Sequence, residues 1–354
     1  MNQTLRQGIP LRGDYSATQR AALDSLVRAA FAQANAALNN SVFAADVVRE
    51  HWPDDRTAAL LTRAASTPHS LTDPAVAPLL ATSWALLAAL TPVSAAAALL
   101  NRSLQLSFDG TAVISMPSIT PALASFVGEG APIPVVMATT GPGTQLRPRK
   151  FAVAWSLTRE MVEASSNGEA VIRQSMLEAT AAQLDAALFS NTAGDATRPP
   201  GILNGITPLS ASTGSGSDVM LSDFRNLAEA VAPVAGSGVV YVMGPGEAVA
   251  VNMTAIRTPG PILVSNALRQ TVIAIVPSAL ASAVDAATVE ASREALMHME
   301  TAPAPIGTPG SPNVVAAPTR SMWQTDSVGL KLRMPVAWAS RGSAAVAWIS
   351  NTTW

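Results

Sequence analysis

Residues 124–150 read Ala-Ser-Phe-Val-Gly-Glu-Gly-Ala-Pro-Ile-Pro-Val-Val-Met-Ala-Thr-Thr-Gly-Pro-Gly-Thr-Gln-Leu-Arg-Pro-Arg-Lys, and this stretch decides the fold. Gly128, Gly130, Pro132, Pro134, Gly141, Pro142, Gly143 and Pro148 deny it stable helix. It is longer than an ordinary connection, which favours a functional projection over a linker. An apolar strand over 150–157 follows, then a helix reaching about Phe189. Asn167 is placed to cap that helix and Glu169 sits in its first turn, where the dipole favours an acid. Leu177, Ala181, Leu184 and Leu188 share one face, and Glu169 and Arg173 form a surface pair. The segment closes with Asn191-Thr-Ala-Gly-Asp-Ala-Thr-Arg-Pro-Pro-Gly-Ile-Leu203. A long arm without chemically active residues is hard to justify in an enzyme. It suits a protein that reaches over its neighbours.

The composition points the same way. Of 354 residues, 49% are apolar and 13% charged, against about 25% charged in ordinary soluble domains. A monomer this poor in charge would struggle to keep its surface wet and free of patches, so contact with other copies is expected. The net charge of −2 supplies no basic field for nucleic acid. If the protein lives near DNA, it contains it rather than reads it. The absence of cysteine removes disulfides, thiolate nucleophiles and Cys-based metal sites. The N-terminus lacks the apolar core of a signal peptide. The uncharged stretch 74–101 is interrupted by Pro78 and Pro92, and its longest clear piece, 79–91, is shorter than the ~20 residues a bilayer requires.

Outward from the arm, residues 1–70 resemble an appendage, with helices expected over 15–38, 42–51 and from Pro53 to Ala65. Two apolar helical pieces flank Pro92. Asp109-Gly110 between the strand-like runs 105–108 and 112–116 is a hairpin signal, with Pro117 and Pro121 ending the ladder. Residues 210–218 form a Ser/Gly linker and a domain boundary. Beyond it come a helix over 223–231, a strand over 239–243, a Gly244-Pro-Gly246 turn and a short helix. Strands are expected at 261–265, 271–276 and 287–291, a Pro-rich passage at 301–318, and closing strands at 328–334, 336–340 and 344–350. The closing strands are expected to return to the 109–110 hairpin, making the first domain discontinuous around an insertion of roughly 215–318.

Catalytic patterns are missing. His51, His69 and His298 lack ligand spacing, and no H-E-x-x-H, G-x-S-x-G or Walker loop is present. Gly244-Pro-Gly246 fails as a dinucleotide turn because Val249 occupies the third glycine position and no acid follows at the required distance. Carboxylate pairs such as Asp54-Asp55 and Glu160/Glu163 fit helix starts and solvated faces. No catalytic, cofactor-binding or metal-binding residue is assigned, and no cofactor is expected.

Several stretches together resemble the major capsid proteins of tailed bacteriophages, of the Hong Kong 97 type. They are Trp84 to Leu100 with Phe108-Asp-Gly to Pro117, Phe126-Val-Gly-Glu-Gly130 through Lys150, and Trp155 to Ser165 leading into the long helix. Asn191 to Leu203, Ser237-Gly-Val-Val-Tyr-Val-Met-Gly-Pro245 and Ser321 to Arg333 with Trp338 and Arg341 complete the set. The resemblance covers residues 75–354 in order. It implies an α+β fold with a spine helix, an extended loop, and peripheral and apical domains. The expected divisions are 1–75, an N-terminal helical arm and candidate scaffolding segment; 76–123, the first part of the peripheral domain; and 124–157, the extended loop. There follow 158–210, spine helix and peripheral domain; 211–318, the apical domain; and 319–354, the closing strands of the peripheral domain. The resemblance implies a non-enzymatic virion subunit, assembled in the bacterial host cytoplasm as hexamers and pentamers of a shell around double-stranded DNA. Scaffold, prohead protease and portal are the further partners it implies, with no membrane. Some relatives join subunits through a lysine–asparagine bond; here the loop tip, 131–146, has no lysine for it. Glu129, Arg147, Arg149 and Lys150 are the expected intersubunit contacts. The alternatives are an encapsulin-like nanocompartment shell and a soluble hydrolase with an unrecognised site.

Overall fold

The computed structural model describes residues 17–38, 43–55, 58, 87, 90–91, 93–108, 113–120, 139–160, 168–254, 260–285, 287–300, 319–342 and 344–354. By packing, the chain groups into two compact units. One comprises 1–93, 151–181 and 286–335, the other 94–150, 182–285 and 336–354. Their borders fall inside the long helix and the long closing strand, not at the Ser/Gly stretch 210–218.

In the first unit, α1 (Ala17–Leu38) packs on α2 (Ala44–His51) and on β9 (Thr288–Ser292). The residues expected as an appendage therefore include helices that cover a strand. Alanine and valine allow the close approach: Ala32, Ala44, Val47, Val48 and Ala58 form one buried cluster. Asp55 ties the ends together, accepting from Ser25 Oγ at 2.7 Å, Arg28 Nη1 at 2.9 Å and the Ala58 N–H at 2.9 Å. The Arg28 guanidinium also lies 5.6 Å from the Trp52 ring centroid, a cation–π distance. β9 pairs antiparallel with the first part of β12 (Ser327–Ser340), which places Lys331 directly opposite Glu290. The Lys331 ammonium there holds the Glu290 carboxyl below its ordinary pKa, chiefly through their hydrogen bond. β4 (Arg149–Thr158) also pairs with β12, and β10 (Leu296–His298) forms a short ribbon with β11 (Thr319–Ser321).

The second unit is built on two sheet segments. In one, β1 (Leu104–Ser107) runs parallel to β8 (Leu280–Val284), and β8 pairs antiparallel with the second part of β12. This corrects the expected 105–116 hairpin. β2 (Ile114–Thr120) turns away and pairs instead with β3 (Thr139–Leu146), the returning limb of the arm. Pro117 does not end that ladder. The register shifts between Met116 and Ser118, so the residue that lacks an N–H sits at the irregularity. Phe108, Leu146, Ala281, Ala283 and Ala337 are packed together there.

The other sheet has the order β13-β7-β5-β6, with β5 (Val240–Met243), β6 (Ile262–Val264), β7 (Thr271–Ile275) and β13 (Val346–Ser350). The last strand thus pairs with β7, not in the sheet that takes β12. Met220, Phe224, Leu227 and Val231 of the helix Ser217–Val231 are spaced four, three and four apart, and all are buried in this sheet's core. Asp223 on the same helix is fully buried and accepts the Ser212 N–H and the Trp354 indole N–H, both at 2.8 Å. Phe224 meets Tyr241 edge to face at 5.0 Å.

Tyr241 is fully buried, and its hydroxyl has no hydrogen-bond partner among the described residues. Burial pushes its phenol pKa up. An unpaired buried hydroxyl costs about 1–3 kcal/mol. Tyr241→Phe is therefore expected to leave stability unchanged or raise it by up to about 1 kcal/mol. Urea unfolding checks this, and a clear loss of stability would mean that the hydroxyl has a partner.

Candidate functional site

The long helix appears as Gly168–Leu188, with Leu177, Ala181, Leu184 and Leu188 buried as the spacing predicts. Within the second unit, the segment after it folds back on the helix end. The Ile202 N–H donates to Leu188 O at 2.8 Å, Gly201 to Thr192 O at 3.0 Å and Leu203 to Ser190 O at 3.2 Å. Two indoles hold the return: Trp338 Nε1 donates to Pro200 O at 2.8 Å and Trp348 Nε1 to Ile206 O at 2.9 Å. A buried indole N–H requires an acceptor, and these two backbone carbonyls supply it.

Asp195 shapes the tip of this segment. Its Oδ1 accepts the Thr197 N–H and hydroxyl, both at 2.6 Å, and the Arg198 N–H at 2.9 Å. These bonds, the Thr197 hydroxyl first, lower its pKa from 3.8 to about 2, and the Arg198 guanidinium adds to the effect. Because the folded-state value is depressed, the contribution to local order is complete above the ordinary carboxylate range. It is lost as pH falls through about 2.

Beside it lies the base of the arm. β3 delivers Gln145 and buried Leu146, and Arg147-Pro148-Arg149 leads into β4. Arg147 Nη2 donates to Gln145 Oε1 at 3.0 Å, and Arg149 Nη1 donates to Ala196 O at 2.7 Å. The result is a cleft of about 330 Å³ whose charged walls are Arg147, Arg149, Arg198 and Asp195, with Leu146, Pro199, Pro200 and Trp338 among its apolar ones. Arg198 Nε stands 3.6 Å from Asp195 Oδ2. Arg147 and Arg149 instead rest on neutral acceptors and form no ion pair with a described acid. The cleft therefore carries three guanidiniums against one carboxylate, and that carboxylate is already engaged.

Of the expected contact residues, the structure brings Arg147 and Arg149 into one cleft. Lys150 is exposed and does not line it, and Glu129 lies outside the described residues. Asp195 and Arg198 belong to one stretch, 191–203, and Trp338 to the closing strand; no local pattern shows that these two segments meet at Arg147 and Arg149.

Gly244-Pro-Gly246 is a strand–turn–helix, with Pro245 opening the helix Pro245–Met253 and the Glu247 carboxylate accepting the Gln270 N–H at 2.8 Å. His51 Nδ1 lies 3.1 Å from Val47 O on its own helix, and His69 lies outside the described residues. Among the described residues no group of three His, Cys, Asp or Glu side chains is arranged to hold a metal ion, and no helix is long and apolar enough to cross a membrane.

Residues 91–258 match the family model described as the phage capsid family. No curated protein matches the chain. Among solved structures, one from Mycobacterium phage Adephagia is similar at 16% identity and a TM-score of 0.51, over 73% of this chain and 89% of that one. One from Mycobacterium phage Cain is similar at 15% identity and a TM-score of 0.52, over 73% and 90%. One from Mycobacterium phage Bobi gives 16% and 0.52 over the same shares. These likenesses show the fold, which is the mixed helix-and-sheet Hong Kong 97 type.

Proposed function

We propose that this chain is a major capsid protein of a tailed phage. It is a structural subunit, not an enzyme, that self-assembles into an icosahedral shell and so is a virion component. The observation that carries this reading is the family match over residues 91–258, which runs through the arm, the long helix and the cleft segment. The charge-poor composition supports it, because copies that cover one another need few charged residues to stay soluble. Head-to-tail contacts that close into rings suit hexamers and pentamers. In this reading Arg147, Arg149 and Lys150, with Glu129 on the arm, make polar contacts between copies. Apolar burial at roughly 25 cal/mol per Å² supplies most of the binding energy. Scaffold, prohead protease and portal are the partners of assembly in the host cytoplasm, and double-stranded DNA is enclosed without sequence-specific contacts.

The test is the content of the particles. Heads recovered from a producing host, imaged in negative stain and analysed by mass spectrometry and nuclease protection, are expected to be closed shells holding protected double-stranded DNA. Particles filled with a single protein cargo and no DNA would overturn the genome-enclosing role.

A further inference from the structure

We infer that the cleft at the base of the arm is a binding site for a phosphate-class oxyanion, held by Arg147, Arg149 and Arg198. The three guanidiniums come from two separate segments of the second unit, 145–149 and 194–200, and line one space of about 330 Å³. That is the lower end of the range for small-molecule pockets. The chain as a whole carries a net charge of −2, so this concentration of positive charge is not a by-product of a basic protein. Arg147 and Arg149 are fixed in direction by Gln145 Oε1 and Ala196 O, both neutral acceptors. Those two bonds leave most of the five N–H donors of each guanidinium unused among the described residues.

Asp195 does not neutralise the cleft. Its Oδ1 is taken by the Thr197 N–H and hydroxyl and by the Arg198 N–H, and these bonds keep it ionised. Its Oδ2 faces Arg198 alone, with Nε at 3.6 Å, which steadies that side chain in the cleft wall. Three guanidiniums against one carboxylate leave a surplus of positive charge that a single carboxylate ligand would not match. A phosphate group carries about −1.5 to −2 charges at pH 7. Its tetrahedral set of oxygens can accept from several guanidiniums at once, and the planar fork of arginine suits it. Arg149 is half-buried while Arg147 and Arg198 are exposed, so a small ion can enter from solvent. Leu146, Pro199, Pro200 and Trp338 add no competing acid, and apolar walls strengthen the attraction between the charges beside them. Free phosphate and the phosphodiesters of nucleic acid offer this same chemistry.

The test titrates the purified full chain with sodium phosphate at neutral pH and fixed ionic strength, read by calorimetry and by phosphorus NMR line broadening. Saturable binding at one site per chain is expected. Arg147→Gln and Arg149→Gln are each expected to weaken it roughly tenfold or more, with urea unfolding midpoints unchanged in the absence of phosphate. Arg225→Gln, an exposed arginine of the same unit on the helix Ser217–Val231 and outside the cleft, should leave binding unchanged. A second titration uses a short duplex oligodeoxynucleotide. Competition with phosphate through the same arginines would support the site and identify phosphodiesters as a source, and phosphate binding without any response to the duplex would support it with free phosphate as the source. Three results would overturn the proposal: non-saturable uptake, an adventitious ion only; equal binding by the arginine variants and the parent; or acetate binding as tightly as phosphate, which would make the cleft a carboxylate seat. Sedimentation of the same samples keeps the shell-subunit reading separate. A chain that binds phosphate but forms no particles would count against that reading alone, and particles that bind none would count against this site alone.

Discussion

Asp185→Ala is expected to destabilise the unassembled chain by about 3 kcal/mol or more. Asp185 is almost fully buried on the long helix, and among the described residues it forms no salt bridge. Donors surround it instead. Its Oδ1 accepts from Ser94 Oγ at 2.5 Å and from the Ala96 N–H at 3.0 Å, and its Oδ2 from Ser265 Oγ at 2.6 Å and, more weakly, the Ala95 N–H at 3.4 Å. The two amides are first-turn groups of the helix Ala95–Leu100, whose six residues are all apolar and all buried. A buried helix end must find partners for its free N–H groups. Here Ser94 accepts the Ala97 N–H at 3.1 Å, and Asp185 supplies the rest from 90 residues away. Removing the carboxylate strands two hydroxyls and two amides at once. Asp185→Asn keeps one acceptor oxygen and is expected to cost clearly less. Urea unfolding midpoints measure both, and an alanine variant within 1 kcal/mol of the parent would show that water or rearrangement replaces the carboxylate.

Gly201→Ala is expected to cost a comparable amount, roughly 3 kcal/mol, by a different route. A Cβ at position 201 would lie 1.9 Å from the Ser190 carbonyl oxygen. Backbone must move, because Ser190 O also accepts the Leu203 N–H and Gly201 donates to Thr192. The movement would pull Pro200 O from Trp338 Nε1. The expected signature therefore couples lost stability to a change in tryptophan fluorescence. Gly205 serves as the control: its φ is +76° but nothing lies within 4 Å of its Cβ position. Gly205→Ala should show only the backbone penalty of about 1 kcal/mol. Equal effects at the two positions would mean that the return onto the helix end is not tightly packed.

What could be read in advance followed local physics. The long helix was legible because Leu177, Ala181, Leu184 and Leu188 mark one face. The helix Ser217–Val231 was legible in its second half for the same reason, although it begins six residues before the expected start. The hairpin at Asp109-Gly110 failed because a local turn signal competes with long-range pairing. β1 gains a partner in β8, 177 residues on at Leu104 and Ala281, which no nearby residue reveals. β8 itself was missed because Leu-Ala-Ser-Ala-Val lacks the β-branched density of an ordinary strand. Its alanines instead fit a strand buried along its whole length. The closing strand runs unbroken through Pro335, which falls between the residues paired with β9 and those paired with β8. On that edge the missing N–H interrupts no pairing with β9 or β8.

The site was legible in part for a related reason. Charged residues at the base of an arm stand out in a chain with so few of them, so Arg147 and Arg149 were visible. Their meeting with Arg198 and Trp338 depends on the return of residues 191–203 and on the pairing of β12, both tertiary facts. Asp185 carries a signal of its own: an acid between Leu184 and Leu188, next to an apolar face, calls for a buried set of donors.

The central claim is that copies of this chain cover one another, and the mass of the purified protein in solution tests it most directly. Sedimentation and light scattering across a concentration series are expected to show closed, many-copy particles coexisting with small ring-sized assemblies. A single species at the 36.4 kDa of one chain, unchanged at high concentration, would contradict the account.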